Sequence, residues 1–247
     1  MASMVPSRTE KIFTRIYVRN AWGEQESRSG PGSGKTRTGR LRSELSKLIR
    51  DLGVRSILDL PCGDFNWMSC VDLSSVQYMG GDIVTPLIAN NDSLYAQPGR
   101  KFERIDMLHD PLPKVDLILC RDGLVHLSFL DIGRALDAMK KSGSVYLLAT
   151  TFTEHMRNRD IPTGAWRRLN LSIAPFFFPR AVQILSDARP DGTCPDKALA
   201  LYRLADLPNL GNLGRAQKIR SAMERGIYRI QSIYHSARHR FTAEFKS

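Results

Sequence analysis

Cysteine is scarce in this chain. Its four cysteines, Cys62, Cys70, Cys120 and Cys194, form no C-x-x-C pair, so the spacing of a zinc site is absent and a disulfide framework has no support. Reduced cysteines suit the cytoplasm. No apolar run approaches the ~18 residues that cross a bilayer. The opening MASMVPSRTEK lacks an apolar core of the secretory kind. The expectation is a soluble cytoplasmic protein without a transmembrane segment. A G-x-G-x-x-G fingerprint is missing, which disfavours a nicotinamide dehydrogenase. GSGKT at 32–36 does not make a P-loop, because the position five before Gly34 is Ser29 and no strand precedes it.

Acidic charge is also short: Lys and Arg number 36 against 25 Asp and Glu, a net of +11. The excess sits at the ends. Residues 1–50 hold 11 basic and 4 acidic residues, residues 211–247 hold 8 and 2, and the centre holds 17 and 19. The middle therefore reads as a near-neutral body with two basic flanks, which permits an anionic partner without proving one. Hydrophobic residues at 42% and charged residues at 25% exclude a largely disordered chain. A length of 247 residues allows one large domain or two small ones.

Local patterns set the elements. Ser7-Arg-Thr-Glu10 has the form of a capping box, and Ile12, Phe13, Ile16 and Tyr17 follow at helical spacing, predicting a helix that ends near Trp22-Gly23. ESRSGPGSGKTRTGR (24–40) reads as a mobile loop. Leu41, Leu45, Leu48, Ile49 and Leu52 mark a second helix. Apolar runs at 54–60, 76–83, 101–107, 115–120 and 144–152 then alternate with helical stretches at 85–96 and after Ser128. That order predicts a parallel sheet covered on both faces. Runs at 181–188 and 198–207 read as a closing antiparallel hairpin. The expected organisation is an N-terminal helix and cover loop over 1–40, a main domain over 41–210, and a basic amphipathic helix over 211–247.

Acidic residues gather at the predicted strand ends, where an open α/β sheet binds its ligands. The first strand ends in Asp59-Leu-Pro-Cys-Gly63-Asp64. The second ends in Gly80-Gly81-Asp82, and Asp82 stands 19 residues after Gly63, the separation of a carboxylate that holds ribose hydroxyls. The third ends in Asp106. The fourth ends in Arg121-Asp122, with His126 four residues on.

Here the sequence resembles the class I S-adenosylmethionine-dependent methyltransferases. LDLPCGDFNWM is similar to their first motif, GGDI to the second, FERIDM to the third and VDLILCRDGLVHLSF to the fourth. The fourth is particularly similar to the small-molecule O-methyltransferase version, and ESRSGPGS with RNRDIPTGAWRRLNL resembles a bacterial subgroup. The resemblance covers about residues 37–207. It implies a Rossmann-like, seven-stranded, mostly parallel sheet with the last strand antiparallel, and S-adenosyl-L-methionine as cofactor. It implies cofactor contacts from Asp59, Pro61, Cys62, Gly63, Asp64, Asp82, Ile83, Asp106, Met107 and Arg121. The implied reaction is methyl transfer to a hydroxyl of a small-molecule or glycan-like acceptor.

The sequence departs from that pattern at Pro61, which replaces the first glycine and removes an N–H, leaving fewer backbone donors for the methionine carboxylate. A helix beginning near Asp64 could still offer its N-terminal N–H groups. Cys62 beside Pro61 does not match the Pro-Cys nucleophile of cytosine methyltransferases, which belongs at the fourth strand. The D/N-P-P-Y/F signature of amino-methylating enzymes is absent.

Asp122 and His126 are the candidate catalytic pair. A methyl on a sulfonium is already activated, so the protein mainly aligns the acceptor and removes its proton, a task that suits histidine. His126 could instead hydrogen-bond to the backbone, or share a divalent ion with Asp122. Residues 153–180 combine Arg157, Arg159, Arg167 and Arg168 with Trp166 and Phe176–Phe178. They read as an acceptor pocket for an anionic, sugar-like or aromatic molecule, or as aromatics that fill the core. The C-terminal helix would dock on the body or a dimer partner, or contact an anionic membrane surface. Nucleic acid is a less favoured partner, so an RNA methyltransferase is one rival and a non-catalytic binding subunit another.

Overall fold

The strands β1 (Ser56–Asp59), β2 (Gln77–Asp82), β3 (Arg100–Arg104), β4 (Leu117–Cys120), β5 (Tyr146–Phe152), β6 (Gln183–Ser186) and β7 (Lys197–Arg203) form one sheet in the order 3-2-1-4-5-7-6. All neighbours up to β5 are parallel, and β7 runs antiparallel to both β5 and β6. This is the expected Rossmann-like arrangement, closed by the expected hairpin. The computed structural model describes residues 6–189, 191–210 and 213. The basic helix expected over 211–247 lies outside them, Leu213 apart.

Central strands that are apolar throughout need cover on both sides, and the alternation of side chains divides that cover. Leu58 and Ile118 face helix α4 (Phe129–Lys141), where Ile132, Leu136 and Met139 are buried. Ile57, Leu117 and Leu119 face helix α2 (Gly39–Asp51), through Leu41, Leu45 and Leu48. Between them in the chain, helix α3 (Thr85–Tyr95) packs against β2 and β3.

Helix α1 (Arg8–Val18) is capped by Ser7, whose Oγ accepts the Glu10 N–H at 3.1 Å. The reciprocal half of the capping box does not form. Glu10 is buried and accepts from Thr85 Oγ1 at 3.1 Å and Arg104 Nη2 at 3.0 Å, so it pins α1 to the sheet instead. The helix also stops earlier than the apolar spacing predicts, because Asn20 turns left-handed at φ +45°.

Two expectations fail around Asp64. No α-helix begins there; the chain passes through turns to a three-residue 3-10 turn at Met68–Cys70. Phe65 is fully buried at φ +57°, a conformation that breaks a right-handed helix. The stretch 24–40 is not a free loop either. It folds over the sheet, held by Ser27 and Ser29 on Asp64 at 3.0 and 3.1 Å.

Candidate active site

Strand order reverses between β1 and β4, the place where open α/β sheets leave a crevice beyond their carboxyl ends. A cavity lies there, of about 1010 Å³ including its mouth, which is the size of a cofactor site. Its floor is formed by the ends of β1, β2 and β4, and its roof by α1 and residues 22–33. Asp59, Pro61, Cys62, Gly63, Asp82, Ile83, Asp106, Met107, Arg121, Asp122 and His126 all line it. Of the residues expected at the site only Asp64 does not. Its carboxylate accepts from the hydroxyls of Ser27 and Ser29 and so faces the cover segment.

The loop after β1 is tightly pinned. Leu60–Pro61 is a cis peptide, and Gly63 takes φ +55°. The Gly63 N–H donates to Asp82 Oδ2 at 3.3 Å, while its carbonyl accepts from Asn91 Nδ2 at 2.7 Å. A Cβ at Gly63 would collide with the Ser29 hydroxyl, so a side chain there would push the cover away.

Three carboxylates from consecutive strand ends are buried on the cavity wall. Burial pushes Asp59 up to about 7, against a hydrogen bond from Tyr78 Oη at 2.7 Å that favours the ion. Burial likewise raises Asp82 to about 6, against the N–H groups of Val84, Gly63 and Ile83. Asp106 accepts from Ser7 Oγ at 3.3 Å, His109 Nδ1 at 2.9 Å and the Leu108 N–H at 3.0 Å. The Cys62 thiol is also buried and pushed well above its ordinary value, which removes it as a nucleophile.

At the β4 end, Asp122 adopts φ +55° and donates its N–H to Thr150 Oγ1 at 2.8 Å. Burial disfavours its charge, but Lys197 at 2.7 Å and Arg121 at 3.6 Å outweigh that and hold the carboxyl well below the usual range. Arg121 lines the cavity with Nε and Nη2 committed elsewhere, two bonds to Asp187 at 3.0 and 2.9 Å and one to the Gly32 carbonyl at 2.8 Å, while Nη1 lies 3.5 Å from Ser33 Oγ. Two cations thus already balance Asp122, which disfavours its service as a metal ligand. Among the described residues no cluster of three or more His, Cys, Asp or Glu could hold a metal ion.

His126 ends a 3-10 turn, Leu124–His126. Its Nδ1 is 2.9 Å from the Ala165 carbonyl. A carbonyl only accepts, so the neutral ring carries its proton on Nδ1 and leaves Nε2 as the basic atom. Trp22 packs over the ring at 5.1 Å and Phe13 meets it edge-on at 6.5 Å. Burial lowers its pKa, against the Ala165 hydrogen bond and the Asp122 charge. The hydrogen-bonded role and the cavity-facing position therefore coexist in one residue.

The segment 153–180 divides its work. Phe176 and Phe178 fill the core, while Phe177 and Trp166 are exposed. Arg167 is buried and donates to the carbonyls of Leu124, Val125 and Leu127 at 3.2, 2.8 and 2.8 Å, so it braces the turn that carries His126. Arg157, Arg159, Arg168 and Trp166 line a separate surface groove.

No family model matches the chain and no curated protein matches it in sequence. Solved structures do match its fold. The 1,6-didemethyltoxoflavin-N1-methyltransferase of Burkholderia thailandensis, with 1,6-didemethyltoxoflavin and S-adenosylhomocysteine bound, superposes with a TM-score of 0.55 at 15% identity, covering 82% of this chain and 92% of that one. The N-methyltransferase NodS from Bradyrhizobium japonicum WM9 gives 0.51 at 16% identity, covering 68% of this chain and 96% of that one. Human N-acetylserotonin methyltransferase, in complex with SAM, gives 0.48 at 16% identity over 78% of this chain, which spans 59% of that longer enzyme. The chain has the Rossmann-like fold of these methyltransferases.

Proposed function

We propose that this protein is an S-adenosylmethionine-dependent methyltransferase that methylates a hydroxyl of a small or sugar-like molecule. The observation that carries the reading is the convergence of Asp59, Asp82, Asp106, Asp122 and His126, from the ends of β1, β2, β3 and β4, on one cavity at the switch point. The donor set fits such a cofactor. Asp59 and Asp82 are buried carboxylates whose charge is undercompensated, so they favour hydroxyl or cationic partners. Ile83, Val84, Leu87, Ile105 and Leu108 supply an apolar slot beside them, suited to a purine. The S-adenosylhomocysteine in the Burkholderia neighbour supports the same assignment.

Bound S-adenosylmethionine supplies a methyl group on a sulfonium, ready for in-line displacement. The chain's part is alignment and proton removal. Asp82 would hold the ribose hydroxyls, Met107 and Ile83 would contact the base, and Asp106 would accept from its amino group. His126 accepts the acceptor's hydroxyl proton at Nε2. A hydroxyl requires such a base, which is why the His126 geometry favours oxygen as the methylated atom.

Calorimetry with S-adenosylhomocysteine tests the reading. Wild type should bind, and Asp82→Ala should bind about 10- to 100-fold more weakly. Absence of binding to the wild type, or unchanged binding in a folded Asp82→Ala protein, overturns it.

A further inference from the structure

We infer that Arg28 binds the α-carboxylate of the methyl donor, so that the N-terminal cover, rather than the loop after β1, receives the donor's amino-acid end. The inference rests on the cofactor reading above and adds a residue to it.

Backbone accounting comes first. The Leu60 N–H donates to the Leu119 carbonyl at 2.8 Å, and Pro61 has none to give. The Cys62 N–H donates to the Gly81 carbonyl at 2.8 Å, Gly63 to Asp82 Oδ2 at 3.3 Å and Asp64 to Ser29 Oγ at 2.8 Å. Every N–H from Leu60 to Asp64 is thus spoken for within the chain. The helical turn that follows has only three residues and starts at Met68, so no helix terminus replaces them. The wall beside this loop carries Asp59 and Asp82, which would repel a carboxylate.

Hydroxyls of Thr9, Tyr17 and Ser33 also line the cavity, but a cation makes the stronger bond to a carboxylate, and the cations there are Arg28, Arg121 and, when protonated, His126. Arg121 gives Nε and Nη2 to Asp187 and the Gly32 carbonyl, its Nη1 lies 3.5 Å from Ser33 Oγ and 3.6 Å from Asp122, and its charge is already shared between two carboxylates. His126 gives its Nδ1 proton to Ala165. Arg28 has no carboxylate partner among the described residues; it lies 5.5 Å over the Tyr17 ring and makes one long contact, 3.5 Å, with the Tyr17 carbonyl. Its backbone is nevertheless fixed. Ser27 and Ser29 on either side both donate to Asp64 Oδ1, which places Arg28 at the rim of the 61–64 loop. A guanidinium fork matches a carboxylate in two parallel bonds.

Two ligands separate this contact from the rest of the site: S-adenosylhomocysteine, and 5′-methylthioadenosine, which keeps the adenosine and sulfur but has no amino-acid end. Arg28→Ala should weaken S-adenosylhomocysteine about 10- to 100-fold by calorimetry and leave 5′-methylthioadenosine unchanged. Arg28→Lys should fall between Ala and wild type. Unchanged S-adenosylhomocysteine affinity overturns the inference, and so does an equal loss for both ligands, which would mean that the cover had come away. Arg28 is exposed and in no ion pair among the described residues, and equal melting temperatures would confirm that the variants are folded. If the wild type binds neither ligand, the cofactor reading itself fails, an outcome distinct from loss of the Arg28 contact alone.

Discussion

Lys197, at the start of β7, places its Nζ 2.7 Å from Asp122 Oδ2, at the turn after β4. The same ammonium is 2.9 Å from Asp187, which also pairs with Arg121. Lys197, Arg121 and Asp187 each expose 5% or less of their side chains, whereas Asp122 exposes 28% and is the member that faces the cavity. The quartet is balanced in charge, and that balance is what makes its burial tolerable.

Lys197→Met should therefore cost about 3–5 kcal/mol, because it leaves two carboxylates sharing one guanidinium. Denaturant midpoints check this. Adding Asp187→Asn to Lys197→Met should recover part of the loss, since it restores the balance; no recovery would mean that packing, not charge, is what Lys197 contributes.

Asp59 gives a pH signature. Its pKa is raised to about 7 in the folded chain from an ordinary 3.8, so the folded state binds more protons between those values and stability falls as pH rises through them. Asp59→Asn keeps an acceptor for Tyr78 and removes the buried charge. In the ligand-free protein its melting temperature should exceed that of wild type at pH 8, and the gap should close toward pH 4. A gap independent of pH would assign the effect to packing.

His126 should stay neutral at lower pH than an ordinary histidine, because burial lowers its pKa from 6.5. The acidic limb of the methyl-transfer rate is expected below pH 6.5. Trp22→Ala uncovers the ring to water and should move that limb upward. A rate profile unmoved by Trp22→Ala and by His126→Gln would place the base elsewhere.

Arg167→Met removes three hydrogen bonds, but the Leu124 and Val125 carbonyls keep the backbone N–H groups of Leu127 and residue 167, so the Leu127 carbonyl alone loses its donor and the cost should be about 1–3 kcal/mol. Because those carbonyls belong to the turn that carries His126, the turnover rate should drop at temperatures where the variant is still folded. S-adenosylhomocysteine affinity should be retained.

The strand-end residues were legible because both signals that mark them are local. Apolar runs of four to seven residues stop at an aspartate, and the sheet rule says where such ends meet. The quartet was not legible, since Asp187 and Lys197 look like ordinary flanks of a hairpin and acquire partners only when β7 turns antiparallel beside β5. The bracing role of Arg167 is hidden for a related reason. An arginine among aromatics reads as a ligand contact, and nothing in its neighbourhood names the carbonyls it reaches 40 residues away. The same holds for Ser27 and Ser29. Hydroxyls in a Gly- and Arg-rich stretch read as loop, and their partner Asp64 lies 37 and 35 residues on. The helix expected at Asp64 does not form because Phe65, which stands where the resembled motif commonly has a glycine, takes a left-handed backbone.

The roof also sets an order of assembly. Its anchors join residues far apart in the chain: Ser7 to Asp106 across 99 positions, Arg104 to Glu10 across 94, Arg121 to Gly32 across 89. The roof thus meets Asp64 at the end of β1, Arg104 and Asp106 at the end of β3, and Arg121 only at the end of β4. Contacts of such separation form late, after the loop entropy they close has been offset by the sheet. The central sheet takes shape with its crevice open, and the crevice is roofed only when residues 7–33 fold back across it.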